Sequence, residues 1–303
     1  MRIGVDLGGT KIEAIALDDA GHEVQRERSA TPNHDYQEIL SAIVQLIERV
    51  EAKVGKQGSV GIGTPGSISP HSGLMRNSNT TCLNGKPLLS DLECALGRSI
   101  RIANDANCFA LSEATDGAAA GAKIVFGVIL GTGVGGGVVI DGKIVTGGNG
   151  NAGEWGHNPL PWPQPAPAGN ESPGPLCYCG RSGCIETFLS GPALSAQAMS
   201  EHGLQLGAAQ IAQRAAAGDA QCDGLLTRYE DRLARGLATV INVLDPEVIV
   251  LGGGLSNIER LYQAVPQRLP RYVFSDRVTT LLRKAQHGDS SGVRGAAWLW
   301  PAN

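Results

Sequence analysis

An internal repeat is the feature of this 303-residue sequence that most constrains its fold. Residues 126–133 (FGVILGTG) align without a gap on residues 3–10 (IGVDLGGT). In both copies an apolar, strand-like run ends in a glycine turn, and a second strand-like run follows the turn. The repeat predicts two α/β units that each begin with an antiparallel hairpin, and the chain is long enough for two domains.

Helical stripes followed by buried strands complete the α/β pattern. Apolar residues recur at helical spacing within residues 34–54, with Asp35 as the expected start and Gly55 as the expected stop. A second stripe covers residues 226–244, and Asp245-Pro246 ends it. The apolar run at residues 248–251 then predicts a central strand that leads into a glycine loop, at the sheet edge where α/β proteins bind ligands.

Charge and hydropathy limit the partners of this chain. Lys and Arg total 25 against 29 Asp and Glu, a net charge of −4 that attracts neither nucleic acid nor anionic membranes. Asp6 interrupts the first apolar run, so no signal peptide is recognisable. The uncharged apolar stretch at residues 124–140 is too short to span a bilayer. We therefore expect a soluble, cytoplasmic protein with no nucleic-acid or membrane partner.

Three glycine turns, each after an apolar strand, predict a nucleotide site. Glycine backbone amides can approach phosphate oxygens closely, although each turn alone could be a tight hairpin. The turns contain Gly8, Gly9, Thr10 and Lys11; Gly131, Thr132 and Gly133; and Gly252, Gly253 and Gly254. The matches to the dinucleotide fingerprint at residues 61–66 and 131–136 lack its strand-to-helix context, and no P-loop occurs. These absences disfavour a hydride-transfer enzyme and exclude a P-loop protein.

Two aspartates are candidates for phosphoryl-transfer chemistry. Asp6 adjoins the first glycine turn, and its counterpart in the repeat is the apolar Ile129, so the fold itself does not require an acid there. A carboxylate beside a phosphate loop can hold Mg²⁺. Asp105 follows a strand-like run and begins a helical stretch. It is either a helix N-cap or a general base for a hydroxyl that attacks the γ-phosphate of ATP.

One histidine and three cysteines have the spacing of a metal site. His157, Cys177, Cys179 and Cys184 supply the four ligands of a closed, structural zinc site, with unrelated thiols as the alternative. Residues 158–176 hold seven of the 16 prolines, so a zinc ion would convert an apparent linker into an ordered loop. The nearby Glu154 and Glu186 suit sugar hydroxyls, or they are surface charges.

The sequence resembles the ROK family of sugar kinases and repressors along nearly its whole length. The matching stretches are residues 5–11 (VDLGGTK), 63–66 (GTPG), 104–107 (NDAN), 130–137 (LGTGVGGG), 154–157 (EWGH), 177–186 (CYCGRSGCIE) and 250–254 (VLGGG). Residues 150–162 and 287–295 look most like bacterial fructokinases of the manno(fructo)kinase type.

This resemblance implies a duplicated actin/hexokinase-like, ribonuclease H-like fold, with two domains around a central cleft that holds ATP and a hexose. It implies Asp105 as the base, Asp6 near Mg²⁺, and the glycine turns with Lys11 at ATP. The implied sugar-binding residues are Asn104, Glu154, His157, Glu186 and Gly66. Many members have Glu before the Asn-Asp pair, whereas this chain has Ala103.

The predicted function is phosphorylation of D-fructose to fructose 6-phosphate by Mg-ATP. The alternatives are a kinase for mannose, glucose or N-acetylglucosamine, or a sugar-responsive repressor, which would need a helix-turn-helix before the first strand. Relatives of this type commonly form homodimers. The predicted domains are 1–117, joined by a C-terminal tail of about 289–303, and 118–288, which includes the zinc-bound loop 157–184.

Overall fold

The computed structural model describes residues 1–32, 35–165 and 171–301. The strands in these residues are β1 (Arg2–Leu7), β2 (Lys11–Leu17), β3 (Glu23–Ala30), β4 (Ser59–Thr64), β5 (Ser67–Ile68), β6 (Met75–Arg76), β7 (Ile100–Asn104), β8 (Ile124–Leu130), β9 (Val134–Ile140), β10 (Lys143–Ile144), β11 (Val248–Gly252) and β12 (Leu281–Lys284). The helices are α1 (Tyr36–Val54), α2 (Leu88–Leu96), α3 (Asp105–Thr115), α4 (Glu186–Leu189), α5 (Gly191–His202), α6 (Ala208–Ala216), α7 (Ala220–Leu244), α8 (Leu261–Arg268) and α9 (Ser291–Trp298). None of the helices in the described part of the chain has both the length and the apolar character needed to cross a bilayer.

Two five-stranded sheets repeat one strand order, as the duplicated sequence predicts. The first sheet has the order β3-β2-β1-β4-β7 and the second has the order β10-β9-β8-β11-β12. In the first sheet β1 pairs antiparallel with β2 and parallel with β4, which in turn pairs parallel with β7. In the second sheet β11 pairs parallel with both β8 and β12. The predicted duplicated α/β fold is confirmed.

The chain divides into two compact units. The first comprises Met1–Gly121, Gly137–Ala152 and Gln286–Asn303, and the second comprises Ala122–Gly136 and Gly153–Ala285. The C-terminal α9 therefore belongs with the N-terminal sheet. The domain limits proposed from the sequence, at 117 and 289, stay predictions.

Local signals in the sequence explain where α1 begins and ends. The side chain of Asp35 accepts hydrogen bonds from the amides of Gln37 and Glu38, which satisfies two amides of the first turn. Gly55 follows the last turn with φ +76°, a left-handed conformation that glycine adopts without strain. The buried face of α1 packs into the apolar core of the first unit, as its helical stripe predicts.

Glycines in adjacent strands allow α9 to lie directly on the first sheet. Gly4 of β1 is registered opposite Gly61 of β4. A Cβ at Gly4 would lie 2.0 Å from the carbonyl oxygen of Val293, and one at Gly61 would lie 1.9 Å from that of Ala296. Any side chain at either position would therefore push α9 off the sheet.

The second unit is built around α7 and the parallel pair β8 and β11. The predicted helix ends at Leu244, and Asp245 follows in the left-handed conformation with φ 49°. The predicted strand is β11, whose residues are all buried. Trp155 is 4% exposed; its indole packs edge-on against the ring of Phe126 and donates a hydrogen bond to the carbonyl oxygen of Gly135 (3.0 Å).

Candidate functional site

The junction between β7 and α3 presents Asn104 and Asp105 at the carboxyl end of a parallel strand. Asn104 is the N-cap, and its Oδ1 accepts a hydrogen bond from the amide of Ala106 at 2.9 Å. Asp105 is the first helical residue, and its Oδ1 lies 2.8 Å from the same amide. The sequence allowed Asp105 to be the N-cap of this helix, but Asn104 occupies that position. Helix capping alone therefore does not explain why residue 105 is an aspartate.

Asp6, in β1, lies close enough to Asp105 for the two charges to interact. Burial, and after it the charge of Asp105, together raise the pKa of Asp6 to about 6, and the Lys11 ammonium opposes both effects. The sheet order explains this proximity, because β4 alone separates β1 from β7 and all three strands run parallel. Two neighbouring carboxylates with one raised pKa are typical of a cation or proton-transfer site.

The first glycine turn joins β1 to β2 beside Asp6. The amide of Gly8 donates to the carbonyl oxygen of Lys11 at 3.0 Å, and the Gly8 carbonyl oxygen accepts from the Thr31 hydroxyl at 2.7 Å. The Lys11 ammonium lies 3.2 Å from the carboxylate of Glu13, which is 3% exposed and also binds Arg28. The Lys11 ammonium therefore has a carboxylate partner, Glu13, and does not interact with water alone.

Gly66 and Asn104 meet at the ends of neighbouring strands. The Asn104 amide nitrogen Nδ2 donates to the carbonyl oxygen of Gly66 at 3.1 Å. Gly66 has φ +77°, and a Cβ there would lie 2.4 Å from the carbonyl oxygen of Arg76. Both the positive φ and the close contact require glycine at position 66. The Gly66 carbonyl oxygen holds the Asn104 side chain in place.

In the second unit, the four predicted metal ligands come together. One ligand atom from each of His157, Cys177, Cys179 and Cys184 lies within 4.8 Å of all the others. The Sγ of Cys177 is 3.6 Å from His157 Nδ1, and the Sγ atoms of Cys179 and Cys184 are 3.6 Å apart. Tetrahedral zinc with Zn–S bonds of ~2.3 Å and Zn–N bonds of ~2.0 Å separates its ligands by roughly 3.5–3.8 Å. The donor set and its spacing therefore fit zinc.

Each nitrogen of the His157 ring has a different neighbour. Nδ1 faces the thiols, whereas Nε2 lies 3.0 Å from the hydroxyl of Tyr178, and the two rings meet edge-on at 5.1 Å. The Tyr178 side chain is exposed. Partial desolvation of the phenol, followed by the charge of Glu186, raises the pKa of Tyr178 to about 12, so the hydroxyl keeps its proton. Sequence reasoning missed Tyr178, although it lies between two predicted ligands.

Glu186 joins the metal segment to the second glycine turn. It begins α4 two residues after Cys184, and its Oε2 accepts a hydrogen bond from the amide of Val134 at 2.9 Å. A Cβ at Gly133 would lie 2.7 Å from the same oxygen. The predicted sugar ligand and a predicted phosphate turn are therefore neighbours, whereas Glu154 is exposed at the start of the short 3-10 turn that ends at His157.

The third glycine turn lies beside the second. Gly252 ends β11 opposite Ile129 of β8. Gly253 has φ +80°, and a Cβ there would lie 2.5 Å from the carbonyl oxygen of Leu130. The second and third turns thus occupy the same edge of the second sheet, as expected for adjacent parallel strands.

A groove of about 490 Å³ opens beside these residues in the second unit. Its lining includes Thr132, Glu186, residues 175–178 and several residues of α5. Its volume is within the range of small-molecule sites.

A buried ion cluster anchors the proline-rich segment, and sequence reasoning missed it. Glu171 accepts hydrogen bonds from Arg232 Nε at 2.6 Å and from Arg235 Nη1 and Nη2 at 2.9 Å. All three side chains are at most 2% exposed, and the arginines hold the pKa of Glu171 below its usual value against the effect of burial. Residues 166–170 of the proline-rich segment lie outside the described residues. The arginines interrupt the apolar stripe of α7, and helical periodicity alone does not identify their partner.

Comparisons with known proteins give a consistent result. The ROK family model matches residues 2–303. A protein from Photobacterium profundum named N-acetyl-D-glucosamine kinase is 43% identical over 299 residues, which cover 99% of each chain.

Two solved structures are also similar. A ROK hexokinase from Thermus thermophilus has a TM-score of 0.86 at 32% identity, covering 98% of this chain and 96% of that one. A ROK family glucokinase from Streptomyces griseus, in complex with glucose and AMPPNP, has a TM-score of 0.77 at 28% identity, covering 100% of this chain and 99% of that one.

Proposed function

The chain belongs to the ROK family, and from this premise we propose that it is a sugar kinase that transfers the γ-phosphoryl group of ATP to N-acetylglucosamine. The observation that carries the proposal is the 43% identity to an N-acetyl-D-glucosamine kinase over 99% of both chains. The Streptomyces griseus structure with glucose and AMPPNP supports a sugar and ATP as the two substrates.

Asp105 is the proposed general base. It accepts the proton of the sugar hydroxyl while the hydroxyl oxygen forms a bond to the γ-phosphorus, and the bond from that phosphorus to the β–γ bridging oxygen breaks to release ADP. Its position at the first residue of α3 supports this role, because Asn104 already caps the helix. The backbone amide of Ala106, 2.8 Å from Oδ1, orients the carboxylate.

Asp6 is the proposed residue near Mg²⁺. When bound, Mg²⁺ neutralises negative charge on the transferring phosphoryl group. A half-buried carboxylate with a second carboxylate nearby suits this role, because a cation relieves both the burial cost and the repulsion from Asp105. The proposed ATP contacts are the three glycine turns and Lys11.

The proposed ligands of the sugar hydroxyls are Gly66, Asn104, Glu154, His157 and Glu186. Asn104 is held by Gly66, and Glu186 is held by the amide of Val134, so both side chains are preorganised. At His157, a sugar hydroxyl would exchange with the Tyr178 hydroxyl at Nε2.

Zinc is the proposed occupant of the His157 cluster. Four protein ligands would satisfy a bound zinc ion and leave no position for a reacting water, so the ion would have a structural role. Nδ1 of His157 faces the cysteines and Nε2 faces away from them, so the metal fixes the orientation of a residue proposed to bind sugar.

The identity of the sugar is the finer part of the proposal. Residues 150–162 and 287–295 favour fructose by their likeness to fructokinases, whereas the full-length relatives named N-acetyl-D-glucosamine kinase favour the aminosugar. Identity over the whole chain is stronger support than the likeness of two short segments. Fructose is therefore the second candidate, and homodimer formation stays a prediction.

A coupled assay of ADP release tests the proposal. N-acetylglucosamine, fructose, mannose and glucose are each compared at saturating Mg-ATP. We expect kcat/KM for N-acetylglucosamine to exceed that for the other sugars at least tenfold. A higher value for another hexose would refute the sugar assignment, and no ADP from any sugar would refute the kinase assignment.

A further inference from the structure

A cavity of about 600 Å³ in the first unit is lined by an unusual concentration of arginine. It lies where β1 and β4 begin, because Arg2 and Ser59, which line it, are registered opposite each other at the starts of these strands. Asp6 lies near the other end of β1, and Asp105 follows the corresponding end of β7. The lining residues are Met1, Arg2, Asp19, Gln57, Gly58, Ser59, Arg98, Arg101, Trp300 and Pro301.

Arg2 is a buried cation whose hydrogen bonds within the described residues go to backbone carbonyl oxygens. It is 3% exposed. Its guanidinium donates to the carbonyl oxygens of Trp300 at 3.2 Å, Asp18 at 3.3 Å and Pro301 at 3.5 Å, and it lies 4.8 Å from the ring centre of Trp298. No carboxylate in the described part of the chain lies within ion-pair distance of it. A buried charge of this kind favours an anion in the adjoining cavity.

Arg98 and Arg101 add two further guanidinium groups to the wall. Arg98 is fixed by Glu51 at 2.8 Å, yet its Nε is buried and has no hydrogen-bond partner among the described residues. Arg101 lies over the ring of Trp300 at 4.2 Å and donates to the carbonyl oxygen of Leu299. Trp300 is held in turn by Val60, whose carbonyl oxygen accepts from the indole at 2.7 Å.

The acid that lines the cavity does not balance these charges. Asp19 pairs with the amino group of Met1 at 3.0 Å. The hydrogen bond and charge of that amino group, together with the nearby Arg2 and Lys56, lower the pKa of Asp19. The cavity therefore keeps an excess of positive charge even with Asp19 ionised.

We propose that this cavity binds the phosphate group of a small phosphorylated metabolite. Guanidinium groups bind phosphate oxygens through paired N–H donors, and three of them converge here. The cavity has the volume of a metabolite site and exceeds what a phosphate group alone occupies. Arg101 lies in β7 four residues before Asp105, so the site is at the opposite end of the strand from the proposed catalytic carboxylate. The inference does not depend on the proposed kinase activity.

The test is calorimetric titration of inorganic phosphate into the full-length protein at low ionic strength, without sugar or nucleotide. We expect saturable binding that weakens at least tenfold in Arg98→Gln and in Arg101→Gln. Lys11→Gln is the matched control, because it removes a cation from the proposed ATP site, and it should leave this phosphate affinity within twofold of the native value. Thermal unfolding verifies that each variant is folded.

Several outcomes would overturn the proposal. One is the absence of phosphate binding, and another is binding that Lys11→Gln abolishes while both arginine variants retain it. A third is a phosphate affinity that both arginine variants leave within twofold of the native value.

Discussion

The charge of Asp105 raises the pKa of Asp6 beyond what burial alone does, although the two aspartates are 99 positions apart in the sequence. The parallel arrangement of β1, β4 and β7 brings them to one edge of the first sheet. Their different surroundings support different roles, with Asp105 as the base and Asp6 near the metal.

Replacing Asp105 tests the base directly. We expect Asp105→Asn to lower kcat by about 10²–10⁴ while sugar affinity and unfolding temperature stay close to native, because a general base acts mainly in the transition state. Glu38→Gln removes an exposed carboxylate from α1 and serves as the control. Near-native kcat in Asp105→Asn would contradict the assignment.

The raised pKa of Asp6 predicts a pH-dependent stability of the metal-free protein. Its pKa is 3.8 in the unfolded chain and about 6 in the folded one, so the folded state binds the proton more tightly. The stabilisation from the protonated form is complete below pH 4 and is lost as the pH rises through 6. Asp6→Asn should therefore become more stable than the native protein between pH 4 and pH 7, by up to about 3 kcal/mol.

Thermal unfolding of both proteins from pH 4 to pH 8 measures this difference. Saturating Mg-ATP should reduce or reverse it above pH 6, because the ionised Asp6 then has a favourable partner. A constant difference across this pH range would show that Asp6 does not titrate as described.

The His157 cluster predicts one zinc per chain in protein purified without chelator. Cys184→Ser should lose the metal, and KM for the sugar should rise by more than kcat falls, because His157 loses its orientation. Cys94→Ser changes an exposed thiol outside the cluster and should leave zinc content and kinetics unchanged. Metal analysis that finds no zinc in the native protein would remove the site.

The Glu171 cluster predicts a large and local loss of stability. Glu171→Gln leaves Arg232 buried without its carboxylate and leaves Arg235 with Asp231 as its remaining carboxylate, and the expected cost is about 3–5 kcal/mol. The control is Glu259→Gln, since Glu259 is 75% exposed beside Lys284, and removal of such a surface pair costs below about 1 kcal/mol. Denaturant unfolding compares the two variants, and equal losses would contradict the buried-pair account.

Short-range features of this protein were predictable from its sequence. Asp35 and Gly55 mark the ends of α1, and Asp245 marks the end of α7, because caps and turns depend on backbone preferences within a few residues. The hairpin repeat predicted two sheets of one topology, since both copies encode the same strand-turn-strand pattern. The metal site was also predictable, because its histidine and three cysteines lie in one short segment of the sequence.

Contacts between distant segments were settled only by the tertiary structure. Asp6 meets Asp105 because of the strand order, and Glu171 finds its arginines because the proline-rich segment packs on α7. Arg2 and Arg101 line one cavity because β1 and β7 belong to one sheet. A carboxylate or guanidinium in the sequence carries no mark of its partner, since charge interactions depend on distance in space and on burial, and both arise only once the strands have paired.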